Sequence, residues 1–164
     1  MALNVTFYQS ANWNTSSPPD TNTVGGAINL SNEVGATLSD VFPEGVSDYI
    51  GQDARVRYQK IWVKNTYGDG TSVDNVKVFL NNVKHPGQIQ IATGIADDTA
   101  TNPSTEPGSL NFVEPIGLVN ATGFAIQNPL TDDSRFSIWI KQSIPANLPS
   151  EVGASTTIGI IGEV

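Results

Sequence analysis

Apolar and polar residues alternate along several short segments of the chain, and this two-residue period is typical of β-strands with one buried face. The clearest examples are the segments Asn75–Leu80, Gln88–Ala92 and Arg135–Lys141. In the first and third segments, the residues predicted to face inward are Val76, Val78, Leu80, Phe136, Ile138 and Ile140. The pattern therefore predicts half-buried strands in the second two thirds of the chain.

The longest β-rich segment, Arg55–Asn65, has no cleanly apolar face. Apolar and polar side chains occur at both parities, which predicts either burial that changes along the strand or a partner on one side. The turn segment Tyr67–Thr71 follows, with two glycines around an aspartate, before the strand Asn75–Leu80 begins. A strand, a glycine turn and a second strand predict a β-hairpin.

About seven strands bounded by turns are predicted between Ala54 and Val164, and no segment has a convincing helical period. This arrangement favours an all-β fold, an antiparallel β-sandwich of immunoglobulin-like or jelly-roll-like type. The first 50 or so residues differ, because short apolar patches such as Gly25–Leu30 alternate with long polar stretches. We therefore predict an extended N-terminal arm with short strands over residues 1–53, lying on its own domain or on a neighbour, and a β-sandwich domain over residues 54–164.

The charge of the chain excludes several functions. Charged residues make up 15% of the chain, and 16 acidic residues against 8 basic ones give a formal net charge of −8. Neither nucleic acid nor a membrane is expected as a partner, because both favour a basic surface. The chain has no cysteine, which excludes disulfides and thiolate chemistry. We recognise no signal sequence or membrane span and expect synthesis in a cytoplasm.

Residues that could support catalysis or bind a metal are few. His85 is the only histidine, and a single histidine in a polar turn is typical of a solvated loop residue. The acidic pairs Asp97–Asp98 and Asp132–Asp133 leave structural calcium open, although neither lies in a recognised calcium-binding pattern. Paired acids also leave glycoside hydrolysis open as a minor alternative. We expect a non-enzymatic protein with no catalytic residue, no cofactor and no bound metal.

Four aromatic residues are candidate partner-binding residues. Phe7, Tyr8 and Trp13 lie in a segment too polar to build its own core, and aromatic side chains commonly anchor protein interfaces. Packing of these three residues on the sandwich itself fits the sequence equally well. Trp139 has the opposite parity to Ile138 and is predicted on the second face of its sheet, in contact with an arm, a subunit or ordinary neighbours.

The strand segments also resemble a known family. The segments concerned are Tyr58–Thr66, Val73–Leu80, Ile89–Ala92, Ser137–Lys141 and Ile144–Ala146. The residue pattern of these strands resembles that of a β-sandwich found in structural proteins of tailed bacteriophages. Phe7–Tyr8 and Gly25–Ile28 resemble the start of such proteins. The resemblance implies a virion component, above all a capsid decoration (cement) protein that binds the outside of the head and bridges capsomers. It further implies the major capsid protein as partner, a homo-oligomer or multiple copies on the head, a location on the capsid surface after synthesis in the host cytoplasm, and no catalytic residues.

Two other functions remain open on the sequence. A neck or baseplate subunit of the same virion would have the same pattern of residues in its strands. A carbohydrate-binding or receptor-binding module would use exposed aromatic residues such as Trp13 or Trp139, with calcium on Asp97 or Asp132.

Overall fold

A computed structural model describes residues 3–13, 23–42, 53–83, 87–93, 100–101, 105–108, 110–116, 124–125, 128–146 and 156–164. Within these ranges the elements are β1 (Val5–Asn12), β2 (Val24–Glu33), α1 (Leu38–Val41), β3 (Arg55–Asn65), β4 (Asp74–Asn81), β5 (Ile89–Thr93), β6 (Ala100–Thr101), β7 (Phe124–Ala125), β8 (Arg135–Ile144) and β9 (Thr157–Glu163). No helix in these ranges is long and apolar enough to cross a membrane.

The strands form two antiparallel sheets that pack against each other. The large sheet has the strand order β5-β8-β3-β1-β2-β6, and the small sheet has the order β7-β4-β9. This arrangement confirms the predicted all-β sandwich. The residues predicted to face inward on β4 and β8 are all buried in the core between the sheets: Val76, Val78, Leu80, Phe136, Ile138 and Ile140.

Strand β3 is buried on both of its faces, and this burial explains its mixed sequence pattern. It lies inside the large sheet, hydrogen-bonded to β8 on one side and to β1 on the other. Ile61 and Val63 belong to the core between the sheets. Tyr58, Lys60 and Trp62 point to the opposite face, where they are also buried.

Strands β3 and β4 do not form the predicted hairpin, so that prediction is wrong. β3 belongs to the large sheet, whereas β4 pairs with β9 and β7 in the small sheet. The connection therefore crosses from one sheet to the other. Gly68 and Gly70 have φ angles of 73° and 88° in this crossing, a conformation that glycine adopts without strain. Glycines with positive φ occur both in β-hairpin turns and in connections between two sheets, so the sequence could not distinguish the two.

The carboxylate of Asp132 holds the crossing connection in place. Its Oδ1 accepts hydrogen bonds from the backbone N–H groups of Gly68 and Asp133, each at 2.9 Å, and its Oδ2 accepts one from Gly70 at 2.7 Å. The bonds from Gly68 and Gly70 lower the pKa of the Asp132 carboxyl. Asp132 thus anchors backbone amides of the crossing segment.

Replacing Asp132 by asparagine should lower the Tm by several degrees at pH 7, because the amide can accept fewer backbone hydrogen bonds than the carboxylate. The low pKa of Asp132 contributes stability that is present above its unfolded value of about 3.9 and is lost as the pH falls through the folded value. The D132N variant should therefore lose less stability than the wild type in acid. Thermal melts across pH 2–7 would measure both effects.

The matched control for this variant is Asp133→Asn. Asp133 is the neighbouring acid, and its exposed carboxylate pairs with Lys64 at 2.5 Å. Exposed ion pairs contribute little, so the Tm of D133N should stay close to that of the wild type. Equal Tm losses in D132N and D133N would contradict the anchoring role of Asp132.

Residues before Ala54 contribute strands to the large sheet. β1 pairs with β3 from Val5 opposite Asn65 to Gln9 opposite Ile61, and β2 pairs with β1. The four-residue helix α1, which the sequence did not predict, begins at a capping box formed by Thr37 and Asp40. The predicted extended arm is not confirmed, and the domain division after residue 53 stays a prediction.

Candidate partner-binding site

One face of the large sheet is turned away from the small sheet and bears a cluster of aromatic side chains. Trp139 and Tyr58 are only 3% and 4% exposed and pack with Val24 of β2. Leu110 and Phe112 pack against this cluster, with the Phe112 ring centre 5.6 Å from that of Tyr58. Trp139 therefore lies on the predicted second face of its sheet, but residues of its own chain cover it.

Basic residues and Glu106 complete this covered face. The Tyr58 hydroxyl donates a hydrogen bond to Glu106 Oε2 at 3.0 Å, and Lys141 Nζ lies 3.6 Å from the same oxygen. The Lys60 ammonium lies 4.6 Å from the ring centre of Trp62, within the range of a cation–π contact. Burial, together with the hydrogen bond to Glu106 and its negative charge, raises the pKa of Tyr58 to about 12. The contacts of Tyr58 and Lys141 with Glu106 are intramolecular and hold the segment around Glu106 on the sheet.

Replacing Tyr58 by phenylalanine should lower the free energy of unfolding by about 1 kcal/mol at pH 7, because the bond to Glu106 is lost. The raised pKa of Tyr58 means that the folded state favours the neutral phenol. Wild-type stability should therefore fall as the pH rises from the ordinary tyrosine value of about 10 towards 12, and Y58F should lack this part of the decline. Urea unfolding at pH 7 and in alkali would measure both effects.

Tyr67→Phe is the matched control for that change. The Tyr67 hydroxyl is buried and has no hydrogen-bond partner among the described residues. Removing it should leave the stability unchanged or slightly raised, since no hydrogen bond is lost. A larger loss in Y67F than in Y58F would contradict this account of the two hydroxyls.

A cleft opens between the two sheets where β9 ends the small sheet. It is lined by Leu3 just before β1, by Val5 and Phe7 of β1, and by Ile160, Ile161 and Gly162 of β9, and its volume is about 400 Å³. We call this feature the open-edge cleft. None of these six described residues is charged, and the volume lies within the range of small-molecule pockets.

The backbone of β9 is only partly paired on the side that faces away from β4. The Ile158 N–H donates to the Ala36 carbonyl at 2.8 Å, and the Leu38 N–H donates to the Thr156 carbonyl at 2.9 Å. These bonds attach the chain that follows β2 to the start of β9. Beyond Ile158, no described residue hydrogen-bonds this edge. The open-edge cleft thus lies beside a strand edge that the described part of the chain leaves unpaired.

Of the four predicted partner-binding residues, the structure places one in the cleft. Phe7 lines it. Tyr8 is buried opposite Trp62 in the β1–β3 ladder, and half-buried Trp13 packs against the core. A partner could reach Trp139 only if the residues covering it moved. The role of all four in binding a partner stays a prediction.

The other candidate residues lie apart from the cleft or outside the described ranges. His85, Asp97 and Asp98 lie outside the residues that the structure describes. Asp132 binds the crossing connection, as described above. In the described part of the chain, no three His, Cys, Asp or Glu side chains approach closely enough to hold a metal ion.

Local sequence patterns do not indicate most of the cleft. Leu3, Val5 and Phe7 occupy alternate positions of one segment, but this local pattern does not indicate that their inner face is only partly covered. Ile160 and Ile161 lie in a short apolar segment near the end of the sequence, and no local feature of that segment indicates a functional role. Only the strand order places these two segments together.

Comparison of this chain with protein-family models, with curated proteins and with solved structures found no match.

Proposed function

We propose that this chain is a non-enzymatic structural protein of a tailed-phage virion, a capsid decoration protein that binds the outside of the head through the open-edge cleft. Its partner is the major capsid protein, which it contacts in many copies to stabilise neighbouring capsomers. The residue pattern of β3, β4, β5 and β8, which resembles that of phage structural proteins, supports the virion assignment. The observation that carries the binding role is a cleft with uncharged lining residues beside a strand edge that the described residues leave unpaired.

The character of the cleft supports a protein partner. Unpaired strand edges are sites where other chains add, and most proteins block them with charges, prolines or covering segments. Here the chain has a net charge of −8, yet the apolar residues Val5, Phe7 and Ile160 line the cleft next to the edge. A docking surface of this kind binds through apolar burial and backbone hydrogen bonds and needs no catalytic group.

Co-sedimentation of the purified protein with undecorated phage heads, followed by imaging of the particles, tests this function. We expect saturable binding at regular positions of the head lattice. Failure to bind heads, with the native protein found at the neck or baseplate of virions, would overturn the decoration role and leave a connector role in the same particle.

A further inference from the structure

We propose that the open-edge cleft accepts a single extended strand of the partner, which pairs antiparallel with residues 159–163 of β9 and inserts apolar side chains at alternate positions. The inference rests on the proposed function for the identity of the partner, which is then an extended segment of the major capsid protein. The added strand would become a fourth strand of the small sheet.

The backbone of β9 determines which groups an added strand would meet. The Ile158 N–H points away from β4, since it bonds to Ala36, and the Leu80 N–H opposite it points to the Pro115 carbonyl. Ladder directions alternate along a strand, so the N–H and C=O groups of Ile160 and Gly162 also point away from β4. Among the described residues they have no partner. Two residues therefore offer four backbone groups to an incoming strand.

The side chains of the added strand would follow the same alternation. Ile158 is buried in the core and Ile160 packs against it, so this parity of β9 faces the large sheet. A partner residue opposite Ile160 or Gly162 would bond the backbone of β9 and also point its side chain into the cleft. There it would meet Val5 and Phe7, which are only partly buried. The geometry thus requires apolar residues at the hydrogen-bonding positions of the partner strand.

The shape of the sandwich favours one strand over a second copy of this chain. The small sheet ends at β9 opposite β1, while the large sheet continues with β2 and β6. Antiparallel pairing of two β9 edges would join the two small sheets into one continuous sheet. Both large sheets would then lie on the same face of that sheet, where their β1–β2 ends would occupy the same space. Two copies with a charge of −8 each would also repel. A strand without an attached sheet avoids both problems.

The length of the free edge defines the size of the occupant. Residues 159–163 of β9 extend past the contact with Ala36. At about 3.3 Å per residue, this edge spans roughly 17 Å and matches a strand of about five residues. The described lining residues of the cleft are uncharged, so apolar burial and backbone hydrogen bonds should dominate binding there.

Short peptides that alternate valine and threonine, with a lysine at each end, provide the probe. One peptide is unmodified, a second is N-methylated at its valine amides, and a third carries the same number of N-methyl groups at its threonine amides. A valine whose side chain points into the cleft must also donate its backbone N–H to a carbonyl group of β9. We therefore expect the valine-methylated peptide to bind at least tenfold more weakly than the other two, which should bind alike in titration calorimetry.

Two measurements on the protein complete the test. The Val5→Thr variant should bind the unmodified peptide several-fold more weakly, whereas Val56→Thr, the same change on an exposed position of β3, should not. Amide exchange at Ile160 and Gly162 should be fast in the free protein and slow with the peptide bound. Equal binding of the two methylated peptides, or slow exchange at both amides without peptide, would overturn strand addition.

Head binding separates this inference from the proposed function. If wild type and V5T bind heads equally, the decoration role stands and the cleft is not its docking site. If the peptides behave as expected but no head binding occurs, strand addition stands and the decoration role fails.

Discussion

Replacing Ile138 by alanine is expected to lower the free energy of unfolding by about 3–4 kcal/mol, the largest effect of any single change considered for this fold. Ile138 is 1% exposed and lies on β8, with Ile61 of β3 opposite it on one side and Thr93 of β5 on the other. Its side chain belongs to the core between the sheets. Alanine would leave a cavity at a site where two neighbouring strands restrict collapse.

Urea unfolding of I138A beside Val56→Ala would measure this effect. Val56 lies on β3 and is 37% exposed, so its truncation should change the stability by no more than about 0.5 kcal/mol. Similar losses in the two variants would contradict the position of the core between the sheets.

Replacing Gln59 by methionine is expected to raise the free energy of unfolding by about 1–2 kcal/mol, because it removes a buried amide without hydrogen bonds. Gln59 is 1% exposed and shares the inward parity of Ile61. Its Oε1 and Nε2 have no partner among the described residues. Methionine has a similar length and fills irregular space well, so the packing should be kept.

Gln142→Met provides the opposite case in the same region. Gln142 is also buried, but its Oε1 accepts a hydrogen bond from Arg57 Nε at 2.6 Å. Removing this acceptor from a buried guanidinium should lower the stability by about 1–3 kcal/mol. A loss of stability in Q59M, measured in the same urea titrations, would show that the Gln59 amide is hydrogen-bonded in solution.

The two-residue pattern predicted the strands well, because a strand with one buried face has apolar residues at every second position. Val76 and Val78 on β4 and Phe136 on β8 illustrate this, since each is buried as predicted. The hairpin after β3 failed because Gly68 and Gly70 specify a turn but not the sheet to which the chain continues. Sheet membership depends on contacts between residues far apart in sequence, such as those between β4 and β9.

The candidate site was predictable only in part, for a related reason. Phe7 was recognised as an aromatic residue in a polar segment, and it lines the open-edge cleft. Trp139 was assigned to the correct face, but its parity could not indicate that Val24 and Phe112 would cover it. The edge at Ile160, which has no partner strand within the described ranges, arises from the strand order of the small sheet, and no local pattern encodes that order.

The most direct measurement is photo-crosslinking to undecorated phage heads from photo-leucine placed at a single position. Leu3 lines the open-edge cleft, and Leu30 on β2 is 53% exposed and lies outside the cleft lining, which makes it the matched control. We predict that photo-leucine at position 3 crosslinks to the major capsid protein and that photo-leucine at position 30 does not. Crosslinks only from position 30, or none from position 3 on heads that carry the bound protein, would contradict the open-edge cleft as the docking site.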